Sequence, residues 1–273
     1  MHVVVLMEDS DRNNGLIAEH GLSLYVETVR HKLLVDTGSS NKTWENAKKL
    51  GIDIKKIDTV VISHGHYDHA GGLMGFAFEN ARAGIYIRRN AMGDFYHGDR
   101  YIGIDRRVQT LSNLCVVNEE SRYTIDDELS LFAGITGRRL WPSGNRLLSE
   151  RRMGQNIQDE FRHEQCLVIN ENEKKVLISG CAHNGILNIL DRYVSLYGKL
   201  PDAVISGFHM MKKSTYDEKE ILEIRETGRK LAESGVMFYT GHCTGEPAYE
   251  ILKEVMGDKI SHLYPGCEIC VEQ

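Results

Sequence analysis

The chain has 273 residues, 41% apolar and 26% charged, the proportions of a folded globular protein long enough to bury a full core. With 33 basic and 39 acidic residues its net charge is −6, and no basic run stands out, so neither nucleic acid nor an anionic membrane surface is an expected partner. The apolar run Val3–Met7 is too short for a secretory signal, no window approaches a membrane span, and six scattered cysteines suit a reducing cytoplasm.

Hydrophobic periodicity predicts strands over 2–7, 22–28, 32–35, 58–63 and 84–88, with helices near 42–50 and 70–79. Segment 90–108 breaks this rhythm. It carries Asp94, His97, Asp99, Arg100 and Asp105 among Gly and Tyr, and reads as a surface insertion or lid. Segment 136–163 reads the same way, with Arg138, Arg139, Arg146, Arg151 and Arg152. Strands are predicted near 129–134, 165–170, 175–179, 202–206, 236–240 and 260–264, and helices near 184–197, 217–233 and 245–256. No linker or low-complexity tract interrupts the chain and its four Pro are dispersed, so a single α/β domain over 1–273 is expected.

Straight after the apolar run Thr59–Ile62 comes Ser63-His64-Gly65-His66-Tyr67-Asp68-His69. Three imidazoles and a carboxylate placed so closely are ligands for a borderline divalent metal, and gain little from proximity without one. Gly65 lets the backbone turn between the flanking imidazoles.

Four other strand ends follow the same plan of an apolar strand, a small residue and a polar side chain. Asp36, after Leu33–Val35, suits an outer role, accepting an imidazole N–H and fixing that ring's orientation. Cys181 and His183 emerge together within Gly180–Gly185, and His242 stands in Gly241-His242-Cys243. His209, in Gly207-Phe208-His209, is suited to binding substrate or donating to an anionic intermediate. His163 precedes the strand at 165–170 and competes with His183 for a ligand position. Cys267 and Cys270 form a lone CxxC near the chain end, a weak sign of a zinc or redox site.

The heptad matches an HxHxDH signature, with Asp36 as the early strand-end acid and His242 as the late histidine. On these residues the chain resembles the metallo-β-lactamase fold superfamily of metal-dependent hydrolases, over essentially its whole length. Gly21-Leu22-Ser23-Leu24, Gly180–Gly185, Gly207–Met210 and Gly241–Gly245 are similar to a narrower branch that includes a pterin-condensing synthase of the methanopterin pathway. The resemblance implies a four-layer αβ/βα sandwich, with two sheets back to back, helices outside and a dinuclear site along one edge. It further implies that His64, His66 and a third histidine hold one ion, and that Asp68, His69 and His242 hold the other. The third histidine is His183 by the branch pattern and His163 by the wider one. Where the superfamily usually has a bridging acid, this chain has Cys181.

These readings lead to a metal-dependent hydrolase of a small, anionic molecule, using water activated by two zinc ions, with manganese and iron also suited to the ligands. Asp68 is the catalytic candidate, orienting the nucleophile or passing a proton to the leaving group. His209 and the arginine-bearing loops are candidates for gripping the substrate. Two other classes remain as alternatives: a transferase condensing a pterin diphosphate, and a non-catalytic metal-binding or sensing module.

Overall fold

A computed structural model describes residues 1–271. Two seven-stranded sheets carry the fold. The first runs in the order Glu268–Cys270, His2–Met7, Ser23–Glu27, Lys32–Val35, Thr59–Val61, Gly84–Arg88 and Leu114–Val117. The second runs Ile260–His262, Met237–Thr240, Ala203–Ile205, Lys174–Ile178, Cys166–Glu171, Leu129–Phe132 and Arg122–Thr124. Each sheet is antiparallel on one side and parallel on the other. Parallel pairing begins at Lys32–Val35 in the first and at Lys174–Ile178 in the second.

Side-chain alternation explains why two sheets stack with helices outside. Val3, Val5 and Leu24 of the first sheet meet Leu131, Leu167 and Ile205 of the second in one central core. Val4, Leu6 and Val60 point the other way, onto Ala47, Leu73 and Phe76 of the helices Lys42–Lys49 and Leu73–Glu79. On the far side, the second sheet packs on Ile186, Leu190, Leu231 and Leu252 of the helices Ile186–Tyr197, Glu218–Glu233 and Glu246–Met256. Three apolar layers between four layers of secondary structure make this the expected αβ/βα sandwich.

Three sequence expectations change. The helix expected over 70–79 is two pieces, Tyr67–Ala70 and Leu73–Glu79, divided at Gly71-Gly72. The strands Leu114–Val117, Arg122–Thr124 and Glu268–Cys270 carry too little apolar alternation to be read from sequence, yet each pairs with a sheet edge. The two segments expected as separate surface loops share one structure. Phe95–His97 and Arg100–Tyr101 pair with Leu148–Arg152 and Gln155–Gln158 into a third, four-stranded antiparallel sheet. Phe95, Ile102, Leu148 and Phe161 form its small core, with Tyr67 and Trp141 against it. Local periodicity could not show this, because the pairing joins residues fifty apart in the chain.

Every strand end singled out in the sequence belongs to a parallel half of a sheet. The C-terminal ends of those strands therefore bring Asp36, His64, Cys181, His209 and His242 toward one edge of the sandwich.

Candidate metal centre

Asp36 organises the entry to this edge. It is fully buried, and its φ of 60° is unusual for a residue with a β-carbon. One carboxylate oxygen accepts from the Ser63 backbone N–H at 2.7 Å. The other accepts from the Ser63 hydroxyl at 2.6 Å and from His69 Nδ1 at 2.7 Å. Ala182, His209 and His242 also have φ near 50°, so four site loops hold sparsely populated backbone conformations. Gly65 is needed for close approach: a β-carbon there would lie 2.5 Å from the Ala91 carbonyl oxygen. Its φ is not positive, so the position uses the missing β-carbon and not a left-handed backbone. Gly180 has a similar reason, because a β-carbon would meet Ser63 Oγ at 2.2 Å and His64 Nδ1 at 3.1 Å.

The heptad and the distant strand ends converge into two clusters. His64, His66 and His183 form one; Asp68, His69, Cys181 and His242 form the other, each with its candidate ligand atoms within 4.8 Å of one another. All seven residues are buried.

Hydrogen bonds at the back of each ring decide which nitrogen faces inward. His64 Nδ1 donates to Ser63 Oγ at 2.8 Å, because the Ser63 hydrogen is already given to Asp36. His183 Nδ1 donates to Asn145 Oδ1 at 3.0 Å, and that amide is oriented by its own Nδ2 donating to the His183 carbonyl at 2.6 Å. His69 Nδ1 donates to Asp36, and His242 Nδ1 donates to Asp9 Oδ1 at 2.6 Å. In a neutral ring held this way, Nε2 is left with a lone pair and no proton. His64 Nε2 and His183 Nε2 lie 3.3 Å apart, and His69 Nε2 and His242 Nε2 lie 3.2 Å apart. His66 Nε2 is buried and has no hydrogen-bond partner. In the three-imidazole cluster, facing acceptors at such distances repel unless a cation lies between them, so the residues present fit a metal.

In the first cluster the electrostatics agree. Burial, then the neighbouring imidazoles, hold His64 and His183 well below the usual histidine range, and burial with the His163 ring brings His66 to about 3. Neutral imidazole is the metal-binding form. In the second cluster burial is opposed by charge. Burial disfavours the Asp68 carboxylate, but His69, His242 and His20 hold it well below its ordinary value. Burial likewise disfavours a His242 cation, yet the Asp9 and Asp68 carboxylates raise it well above the ordinary value. Burial, then Cys243 and the nearby carboxylates, push the Cys181 thiol up. Its sulfur lies 3.0 Å from His69 Nε2.

His163 lies beside His66, but both of its ring nitrogens are engaged. Nδ1 accepts from the Gly65 N–H at 3.0 Å and Nε2 donates to Asp159 Oδ2 at 3.0 Å. It holds the backbone between His64 and His66, whereas His183 offers a nitrogen to the cluster. His209 is half-buried, with its ring centroid 4.1 Å from that of His183 and a buried Nδ1 that has no partner. Cys270, on the outermost strand of the first sheet, and Cys267, just before that strand, are free thiols with no clustered ligands among the described residues.

Sequence reasoning missed the acids that clamp the site backbone. Glu8 accepts from the His242 N–H. Glu164 accepts from the His183 N–H at 2.6 Å and from the Asn184 amide at 2.8 Å. Asp9 also holds His20 Nδ1 at 2.7 Å, and His20 Nε2 reaches within 3.5 Å of Asp68. Glu8-Asp9 follows the strand His2–Met7, so the strand-end rule that found Asp36 would have found this pair. Nothing in the sequence marks His20, Asn145 or Glu164. Among the described residues, no helix is long and apolar enough to cross a membrane.

Comparison with known proteins agrees with this architecture. Residues 17–133 match the model of the metallo-beta-lactamase superfamily. A crystal structure described as a metal-dependent hydrolase of the beta-lactamase superfamily is 35% identical, with a TM-score of 0.83 and full coverage of both chains. The zinc-bound PqqB of Methylobacterium extorquens is 12% identical, with a TM-score of 0.62 over 99% of this chain and 100% of that one, a likeness of fold alone. Among curated proteins, the 7,8-dihydropterin-6-methyl-4-(beta-D-ribofuranosyl)-aminobenzene-5'-phosphate synthase of Methanocaldococcus jannaschii is 25% identical over 97% of this chain and 94% of its own length. An uncharacterized protein of the same organism is 26% identical over 96% of this chain and 98% of its own.

Proposed function

This chain belongs to the metallo-beta-lactamase superfamily of metal-dependent hydrolases, and on that premise we propose that it hydrolyses a small-molecule substrate with a two-metal centre, zinc matching the ligands best. His64, His66 and His183 would hold one ion, and Asp68, His69, Cys181 and His242 the other. Bound there, the metals would supply Lewis acidity, lowering the pKa of water to about 7 and offsetting charge that develops on the substrate.

The remaining roles belong to the protein. Asp68 lies within 3.6 Å of both His69 Nε2 and His242 Nε2, where its carboxylate can orient the attacking water, take its proton and return it to the leaving group. His209 presents an unpartnered ring nitrogen beside the three-imidazole cluster and can donate to the oxygen that gains charge. Ser63, Asn145, Asp36 and Asp9 accept from the four outward nitrogens, so that the inward ones are the nitrogens turned to the metals.

One observation carries the reading: the inward Nε2 atoms of two rings that burial keeps neutral, His64 and His183, face each other at 3.3 Å, with the buried, partnerless Nε2 of His66 in the same cluster. Purified protein should contain close to two equivalents of metal by elemental analysis. It should hydrolyse generic esters or phosphodiesters, lose that activity to a chelator, and regain it with zinc. Full activity in His66→Ala would sink the proposal.

A second reading is favoured by the synthase of Methanocaldococcus jannaschii, similar over nearly the full length of both chains. The same residues would then serve a displacement in which an arylamine nitrogen bonds to the pterin's methylene carbon as diphosphate leaves with the bonding pair and the amine proton passes to a base, in place of attack by water. Micromolar binding of a dihydropterin diphosphate, read by pterin fluorescence, would support it, and no affinity for any pterin would exclude it.

A further inference from the structure

We infer that Arg100 and Arg138 form an oxyanion-binding rim beside the three-imidazole cluster, so that the molecule processed here carries an anionic group apart from the bond that breaks. The link to a processed molecule rests on the proposed hydrolase function; the rim itself stands on geometry.

Residues 88–162 contain many arginines and no lysine. Several are spent on carboxylates: Arg106 on Asp94 at 2.5 Å, Arg107 on Asp105 at 2.5 Å, Arg139 on Asp191 at 3.0 Å and Arg162 on Glu160 at 2.5 Å. Arg100 and Arg138 differ, because both are held by neutral groups. Arg100 Nη2 donates to the Tyr67 hydroxyl at 2.8 Å, and its guanidinium sits 4.9 Å from the centre of that ring. Arg138 Nη1 donates to the Gly137 carbonyl at 2.8 Å and to Asn184 Oδ1 at 3.2 Å, with its guanidinium 5.5 Å from the Trp141 ring.

Their anchors place them at the site. Tyr67 follows His66 and Asn184 follows His183, and those two imidazoles are 4.9 Å apart. Trp141 packs on Phe161 at 5.9 Å, and Phe161 stacks on the His183 ring at 4.4 Å. Each guanidinium is thus fixed by the chain neighbour of a candidate ligand, one from the third sheet and one from the loop at 136–141.

Stacking on a ring and bonding to neutral acceptors orders a guanidinium without cancelling its charge. Each has five N–H donors, more than these contacts use, and both side chains are exposed. A planar fork with unspent donors is suited to phosphate or carboxylate oxygens. In a chain of net charge −6, positive charge retained at this edge would draw anions toward it.

Trp141 supplies a direct readout, since the chain has only two Trp and Trp44→Phe leaves it as sole reporter. The full-length, metal-loaded protein in that background would be titrated with inorganic phosphate, and separately with malonate. A saturable change in Trp141 emission is expected with at least one of them, and the stronger binder tells phosphate from carboxylate. Arg100→Gln and Arg138→Gln should each weaken binding about tenfold, the worth of a charged hydrogen bond. Arg138→Lys should recover part of the loss, and Arg107→Gln should change nothing. Unchanged affinity in both glutamine variants would overturn the inference, as would an equal loss in Arg107→Gln. Because the titration reads binding without turnover, it separates failure of the rim from failure of the hydrolase proposal.

Discussion

The two halves of the centre are built from the same ring and held in opposite ways. In the half made by His64, His66 and His183, the outer nitrogens rest on neutral partners, the Ser63 hydroxyl and the Asn145 amide, and burial keeps the imidazoles uncharged. In the half made by Asp68, His69, Cys181 and His242, the outer nitrogens rest on the carboxylates of Asp36 and Asp9, and anionic groups stand among the ligands themselves. A carboxylate behind an imidazole makes the ring a stronger donor, and anionic ligands neutralise much of an ion's charge. The neutral half would therefore leave its ion the stronger Lewis acid, while the charged half would bind more tightly and serve as an anchor.

The sharpest test of this contrast removes one outer partner from each half. Asn145→Ala should loosen metal in the three-imidazole half, and Asp9→Asn should loosen it in the other. Each should cost roughly 10–100-fold in affinity, the usual penalty for an outer partner. Competition with a chromophoric chelator would resolve the two ions, and the variants should weaken different steps of that titration. Loss of the same step in both would mean that the halves are not separate sites.

A smaller effect is expected where the halves differ in ligand chemistry. Cys181 is the only sulfur in either cluster, and thiolate favours zinc whereas carboxylate suits manganese. Cys181→Asp should shift the preference of the charged half from zinc toward manganese by several-fold, read as metal content after dialysis against equal concentrations of both. Cys181→Ser should lower zinc affinity there and leave the three-imidazole half unchanged. Unaltered zinc affinity in both variants would show that the thiol is packing rather than a ligand.

The same contrast explains how much of the molecule was legible in the sequence. The heptad, Cys181-x-His183 and His242 announce themselves because an apolar strand followed by a small residue and a donor is a local pattern. The structure places all of them on one edge. The partners that fix the tautomers are not local. Asn145 comes from a segment without periodicity, and Glu164 reads as any acid before a strand. Asp9 was within reach of the strand-end rule, but its meaning depends on His242, 233 residues away. The third sheet was hidden for the same reason, since its strands are short, polar and paired across the chain. The ligand types are written locally, whereas the protonation states they need depend on contacts that only the fold supplies.

A histidine at the opposite end of the sandwich sharpens the comparison by inverting it. His31 stands in the turn between Ser23–Glu27 and Lys32–Val35, at the N-terminal end of the parallel strands. Nδ1 donates to Asp58 at 2.9 Å and Nε2 donates to Asp126 at 2.8 Å, so the ring ties the first sheet to the hairpin at the edge of the second. Burial lowers its pKa, but the two carboxylates outweigh burial and raise it above the usual 6.5. A folded-state pKa above the unfolded value means that the charged ring stabilises the fold fully below pH 6.5, and that the contribution fades as pH climbs through the raised value. Because the carboxylates that hold the ring are partly exposed, the effect should be at most about 1 kcal/mol, and salt should reduce it. Denaturant unfolding of His31→Gln against the parent should therefore show a deficit at pH 6 that shrinks by pH 9. An equal deficit at both pH values would mean that His31 acts through packing and neutral hydrogen bonds. In the predicted case, one residue type serves as a charged clip where carboxylates hold both nitrogens, and as a neutral ligand where burial and a single outer partner leave the second nitrogen free.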